Sequence, residues 1–431
     1  MIPQAEFAAR RQQLAERFNA DAVIVIPAAR EQVRSRDTDY PFRQDSDFFY
    51  LTGFNEPDAA LVLCEGQSIL FCREKDPQAE IWHGRRLGPD AAISALGMDE
   101  AYCISELDDA LVELLNGKAA LVYAMAHQAW ADKPVLAALQ TLRDAPKQTK
   151  RAPNMLLDPR SELHEMRLFK SDAELMVMRK AAQISAQAHA RAMQACGRLD
   201  YEYQLEAEIL HEFAMQGARH PAYSTIVGSG DNACILHYTE NNSTLKAGDL
   251  VLIDAGCELF GYAADITRTF PVSGQFSPEQ RALYQLVLDA QHAALEVIKP
   301  GSNLVSATNR CIQVLVEGLV NLGLLQGEPA KLIEAKAYRQ FFMHGLGHWL
   351  GLDVHDVGDY KVCDQDRPFA PGMVLTVEPG LYIANDADVD PKWRGIGIRI
   401  EDNVLITADG HENLTFGVPK RIDAIEALMA G

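Results

Sequence analysis

The chain has 431 residues, 48% hydrophobic and 23% charged, the proportions of a globular protein with room for two or three domains. Its 60 acidic and 40 basic residues leave a net charge of −20. That excludes the Lys/Arg-rich surface that non-specific nucleic-acid binding and docking on anionic membranes require. No segment approaches the ~18 consecutive apolar residues of a membrane span.

Residues Met1 to Asn19 carry Glu6, Arg10, Arg11, Glu16 and Arg17. They read as an amphipathic helix rather than a secretory signal. The eight cysteines are scattered and no pair has C-x-x-C spacing. They read as reduced, buried thiols of a cytoplasmic protein rather than a zinc or redox motif.

Ala22–Ile26 is an apolar strand candidate. Ala59–Cys64 and Ser68–Cys72 flank Glu65-Gly66-Gln67 and predict a hairpin. Ala119–Ala124 is a further strand, between helical stretches at Leu107–Leu115 and Ala129–Leu142. Together these predict a small mixed α/β domain, which we bound at residues 1–170. A long helix follows from Ser171 to Met193, with Ser171 or Asp172 as cap and Glu174 in the first turn. Tyr203–Met215, Pro278–Ile298 and Leu304–Leu322 are the next helices. Leu250–Ile253, Tyr262–Pro271, Val374–Val377 and Ile396–Thr407 are strand-rich. This grouping predicts an α+β second domain, residues 171–431, with helices over one face of an antiparallel sheet.

One internal repeat is visible. Gly248-Asp-Leu-Val-Leu-Ile-Asp254-Ala-Gly256 aligns with Gly372-Met-Val-Leu-Thr-Val-Glu378-Pro-Gly380. A carboxylate at the end of a buried strand is costly unless it is paired or metal-bound. Its recurrence at one offset predicts a pseudo-symmetric site with one acid from each half. Asp265, in Tyr262-Ala-Ala-Asp-Ile-Thr, and Glu401, in Ile398-Arg-Ile-Glu, are two more acids in apolar strand patterns. A hairpin through Gly256 and Gly261 would bring Asp254 and Asp265 together on neighbouring strands. Strand alternation sets Arg399 on the face of Glu401, where it would keep that carboxylate ionised. Four carboxylates in one place call for two divalent cations; an oxygen-rich set favours Mn²⁺, while imidazole adds affinity for Zn, Co or Fe, and the sequence does not choose among them. In His344-Gly-Leu-Gly-His348-Trp-Leu-Gly-Leu-Asp-Val-His355 the histidines are spaced i,i+4 without the Glu of H-E-x-x-H. The glycines argue against a regular helix and let backbone approach a ligand. His237 stands alone in Ile-Leu-His-Tyr-Thr.

These residues together, with Thr376-Val-Glu-Pro-Gly-Leu-Tyr382 and Gly395-Ile-Gly-Ile-Arg-Ile-Glu401-Asp, resemble the aminopeptidase P family of pita-bread metallopeptidases. The resemblance covers essentially the whole chain. It extends to Ser35-Arg-Asp37-Thr-Asp-Tyr-Pro-Phe-Arg-Gln and Ala79-Glu-Ile-Trp82-His-Gly-Arg-Arg in the first domain. It implies a creatinase-like N-terminal domain and a pita-bread catalytic domain with pseudo-twofold symmetry. It implies Asp254, Asp265, His348, Glu378 and Glu401 as ligands of two Mn²⁺ ions. Catalytic roles fall to Glu378, His237, His344, His355 and Arg399, and substrate-binding roles to Tyr382, Asp37 and Trp82. It further implies a homotetramer in which Trp82 reaches a neighbouring active site. The substrates would be peptides with proline second, with no nucleic-acid or membrane partner.

The expected reaction is release of the first residue by a hydroxide bridging the two metals. Glu378 would carry its proton to the proline nitrogen, and His355 or His344 would donate to the oxyanion. The nearest alternative is an Xaa-Pro dipeptidase (prolidase), which the Tyr-Pro-Phe-Arg-Gln block disfavours. A creatinase needs no metal, and a non-catalytic binding protein on this fold would be expected to have lost ligands. The five-position set is complete.

Overall fold

The apolar runs of the first third pair into one six-stranded sheet. The computed structural model describes residues 2–431. One compact unit ends at Arg167 and the second is Leu168–Gly431. The sheet of the first unit centres on Ala22–Pro27, whose burial is complete. That strand pairs antiparallel with Ala60–Cys64 and parallel with Ala120–Val122. Gln67–Cys72 and Glu100–Cys103 extend one edge, and Met155–Leu157 the other. The predicted hairpin closes at Glu65-Gly66, both in the left-handed region. Helices Leu107–Leu115 and Ala129–Asp144 cover one face and bury Leu111, Leu115, Val135 and Leu142 against Val23, Val62 and Phe71.

The N-terminal helix, Gln4–Glu16, turns two arginines inward. The Arg11 guanidinium donates to Leu51 O at 3.0 Å and Gly97 O at 2.6 Å. Arg10 donates to Tyr50 O at 3.1 Å. These carbonyls close the helices Ser46–Thr52 and Pro89–Leu96, where positive charge meets the negative end of the dipole. Arg10 and Arg11, two of the charges in this amphipathic helix, are therefore structural.

In the second unit, Leu250–Asp254 lies between Ile226–Ser229 and Thr267–Pro271, antiparallel to both. Val374–Val377 pairs with Asp402–Ile406, and Gly380–Ile383 with Ile396–Arg399. The two half-sheets meet where Glu401 N donates to Thr267 O at 3.1 Å and Thr269 Oγ1 to Arg399 O at 3.0 Å.

A helix backs each half. Asp172–Cys196 starts at a capping box of Ser171 and Glu174, worth about 1 kcal/mol. Its buried His189 donates from Nε2 to Ala255 O at 2.9 Å, and burial holds that ring neutral, down to about 4. Pro278–Val297 starts at the equivalent box of Ser277 and Gln280. Its buried Gln291 donates to Val377 O at 3.1 Å and Ile400 O at 3.0 Å. Each helix thus sends a buried polar side chain to carbonyls beside the repeated acids. All eight cysteines are free, and five are buried.

Within the first unit, Asp47 sits 2.6 Å from Arg167 and 3.4 Å from His164. Burial alone would raise its carboxyl. The His164 hydrogen bond and the Arg167 charge outweigh burial and hold it at about 2, below the ordinary 3.8. A folded value below the unfolded one stabilises above about pH 4. That contribution is lost as pH falls through about 2. The urea midpoint of Asp47→Asn should therefore lie below wild type at pH 6 and converge on it towards pH 2. A gap independent of pH would contradict this account.

Candidate functional site

Strand register brings the acids together. Val377 pairs with Asp402, so Glu378 and Glu401, one residue beyond each, face one another. In the other half Asp254 pairs with Thr267. Two expectations need correction here. Asp265 is not on a strand beside Asp254. The chain after Asp254 forms a separate hairpin, Cys257–Leu259 with Tyr262–Ala263, turning at Phe260-Gly261. Asp265 follows it in an irregular step, which Asn403 fixes by accepting from Asp265 N at 3.0 Å. Arg399 and Glu401 likewise do not share an unbroken strand, because pairing stops between Arg399 and Asp402. Both acids leave regular pairing so that their side chains, rather than the ladder, face the cavity.

The His344–His355 segment is irregular, as its glycines predict. It lies flat on the strand Val374–Val377. Thr376 N donates to His348 O at 2.8 Å and Glu378 N to Leu346 O at 2.8 Å. A Cβ on Gly347 would stand 1.9 Å from Thr376 O, so no other residue permits this approach. His348 Nδ1 is 2.9 Å from Trp349 O. Donating there aims Nε2 at the acids, to which it gives a proton in the metal-free protein and would offer a lone pair to a bound ion. Nε2 is 3.5 Å from both Asp265 Oδ2 and Glu378 Oε1.

Arg399 is the hub of the polar network. Nη2 meets Asp254 Oδ2 at 2.6 Å, Nη1 donates to Tyr382 OH at 3.0 Å, and Nε donates to Thr267 Oγ1 at 3.0 Å. The Thr267 hydroxyl in turn donates to Glu401 Oε2 at 2.6 Å. Tyr382, accepting from Arg399, must donate to His344 Nε2 at 2.8 Å, so His344 Nδ1 donates to Gly345 O at 2.8 Å. One guanidinium thus orders two acids and fixes a histidine tautomer.

The acids are enclosed, and burial pushes them up. Burial, then the Asp254 charge, raises Asp265. Burial, then the charges of Asp265, Glu378 and Asp254, raises Glu401 far more. Glu378 reaches about 7, with burial dominant over the opposing charges of His348 and Arg399. Burial alone would lower His348, but its hydrogen bond to Asp265 and the acid charges carry it up to about 9. His344 falls to about 4, through burial and then the Arg399 charge. His355 falls as well, through burial and then the His348 charge. Neighbouring Asp402 behaves oppositely. Despite burial, Arg268 at 2.7 Å and Lys420 at 2.6 Å hold it well below the carboxylate range.

Protons on the acids are one remedy for this repulsion and cations are the other. The donor chemistry fits cations. Asp265, His348 and Glu401 offer atoms within 4.8 Å of one another. The Tyr223 hydroxyl lies 2.6 Å from both Asp254 and Asp265, yet one O–H donates to only one carboxylate at a time. Five convergent donors from two half-sheets suit a pair of divalent ions.

The cavity is about 510 Å³, within the range of small-molecule sites. Asp254, Asp265, His348, Glu378 and Glu401 line it, together with His237, His344, His355 and Arg399. Tyr382 stands directly behind His344 and Arg399. Asp37 and Trp82 belong to the other unit. Asp37 is at an exposed turn with φ 62°, and Trp82 is 82% exposed on the helix Pro77–His83. Sequence reasoning missed Tyr223, Thr267 and Thr376. Only Thr376 carried a signal, as the polar residue within the apolar run Val374–Val377.

Replacing Arg399 by Met would strand Asp254 and leave Tyr382 and Thr267 without their donor. Breaking such a buried pair costs about 3–5 kcal/mol. The denaturation midpoint of the metal-free protein should fall accordingly, and a wild-type midpoint would contradict the hub assignment.

Comparison with known proteins agrees with this geometry. Residues 177–408 match the model of metallopeptidase family M24, and residues 7–123 match the aminopeptidase P N-terminal domain. The Xaa-Pro aminopeptidase of Escherichia coli is 53% identical over 99% of this chain and 98% of its own length. A structure of zinc-substituted E. coli aminopeptidase P in complex with product superposes with TM-score 0.98 at 53% identity, covering 100% of this chain and 98% of that one. Proline aminopeptidase P II from Yersinia pestis gives 0.97 at 55% identity, covering both chains fully. The chain belongs to metallopeptidase family M24, and carries the N-terminal domain of aminopeptidase P.

Proposed function

We propose that this protein is an Xaa-Pro aminopeptidase. It releases the first residue from peptides whose second residue is proline. One observation carries the reading. Four carboxylates and His348 converge in a cavity that also holds three further histidines, on a chain 53% identical end to end to an Xaa-Pro aminopeptidase. Asp254, Asp265, His348, Glu378 and Glu401 hold two divalent ions, and the preponderance of oxygen donors supports Mn²⁺. When bound, the ions supply a water nucleophile at neutral pH and polarise the scissile carbonyl.

The chain's own groups do the rest. Glu378 takes up the nucleophile's proton and delivers it to the proline nitrogen, which must be protonated to leave. His344 has both ring nitrogens engaged, by Tyr382 and Gly345, so the geometry favours His355 as the donor to the oxyanion. Such a donor is worth roughly 3 kcal/mol. His237, Tyr382 and Arg399 shape the site around proline. The acid-rich end attracts a free α-amino group, which makes the enzyme an exopeptidase.

The N-terminal domain, residues 1–170, builds a homotetramer. Its adjacent Ile81 and Trp82 are 80% and 82% exposed, an apolar pair suited to contact with a second copy. Asp37 and Trp82 contribute to substrate binding in that assembly. The eight free thiols suit the reducing cytoplasm.

Metal-stripped enzyme resupplied with Mn²⁺ should release the first residue of an Xaa-Pro-Xaa tripeptide. Cleavage of Xaa-Pro dipeptides alone would make it a prolidase. No cleavage of either under any divalent ion would overturn the reading.

A further inference from the structure

Glu202 begins the helix Glu202–Met215 and is wholly buried. Its Oε1 accepts from Ser229 N at 2.7 Å, Ser229 Oγ at 2.8 Å and Asn232 Nδ2 at 3.1 Å. Its Oε2 accepts from Tyr238 OH and Ser243 N, both at 2.9 Å. All five donors come from one stretch, Ser229 to Ser243. One turn along the same helix, Glu206 accepts from Asn241 Nδ2 at 3.0 Å, and Asn241 Oδ1 accepts from Val227 N at 2.9 Å. The helix face therefore clamps this stretch at both ends and in its middle.

His237 sits inside the clamped stretch and lines the cavity. Its ring makes no hydrogen bond among the described residues, so its place depends on its backbone. The neighbouring Tyr238 is buried and reaches Glu202, while His237 is exposed to the cavity. Leu236 in the clamped stretch, and Ile226 beside Val227, line the cavity with His237.

We propose that Glu202 is the positioning residue for His237 and its side of the cavity, acting from outside the site through five charge-assisted hydrogen bonds. The proposal rests on the aminopeptidase reading. A carboxylate is the one side chain of this length that accepts from five donors, because an amide turns two N–H groups of its own towards them. Glu202→Gln therefore leaves donors facing donors, and the stretch must shift.

The test is a double-mutant cycle with metal-loaded enzyme on an Xaa-Pro-Xaa peptide. Glu202→Gln and His237→Ala should each lower kcat/KM by about tenfold or more, and the double variant should be no worse than His237→Ala alone. Tyr238→Phe, which removes one hydroxyl and keeps the ring, should act in the same direction and carries the cycle if Glu202→Gln fails to fold. A second readout needs no turnover. The His237 imidazole resonance, identified by its loss in His237→Ala, should shift or broaden in Glu202→Gln and in Tyr238→Phe. Full multiplicativity in the cycle, or an unmoved His237 resonance, would overturn the proposal. A wild-type protein inactive on proline peptides would instead overturn the aminopeptidase reading, and the resonance would still decide the positioning role.

Discussion

Four carboxylates facing one enclosed cavity repel each other, and burial strengthens the repulsion because little water remains to screen it. The surrounding structure answers in two ways. Arg399 takes Asp254 directly and reaches Glu401 through Thr267. His348 alone faces Asp265 and Glu378, at 3.5 Å from each, too little to offset the rest of the negative charge, which is left to be met by cations. Asp402 makes the contrast plain. One residue from Glu401, it is fully matched by Arg268 and Lys420. The two adjacent acids therefore end with opposite proton affinities, and only one faces the cavity.

The repeat around Asp254 and Glu378 gives this charge cluster its geometry. Each acid lies at the end of an apolar strand, and each strand end is completed by a buried polar side chain from a long helix, His189 in one half and Gln291 in the other. A pita-bread arrangement thus supplies rigid strand ends aimed at one point. A site held this way loses little entropy on binding its ligand, which is what preorganisation contributes to catalysis. The glycine-rich histidine segment adds His348 only because Gly347 lets it lie against Thr376. Arg399, Tyr382 and His344 then form one hydrogen-bonded line, so the charge of the guanidinium sets the proton position on a histidine two groups away.

Much of this was legible in the sequence, for identifiable reasons. Leu250–Asp254 and Val374–Val377 are apolar runs flanked by glycine, and they became the strands expected. Ser171 and Glu174 announced their helix start by capping chemistry. The acids stood out because charge interrupts an apolar pattern. Sequence spacing failed at Asp265, where period-two alternation does not foresee a second hairpin inserted between paired strands. Tyr223 and Glu202 were invisible for another reason. A tyrosine before an apolar run and a glutamate at a helix start are ordinary residues in ordinary places, and their roles come from long-range hydrogen bonds.

Cations resolve the carboxylate repulsion, and the most direct check is calorimetric titration of the metal-stripped chain with Mn²⁺. Two ions should bind per chain, with proton release from the raised acids at neutral pH and loss of both ions in Glu401→Ala. No binding, or full activity on proline peptides in the presence of excess chelator with no ion retained, would contradict it.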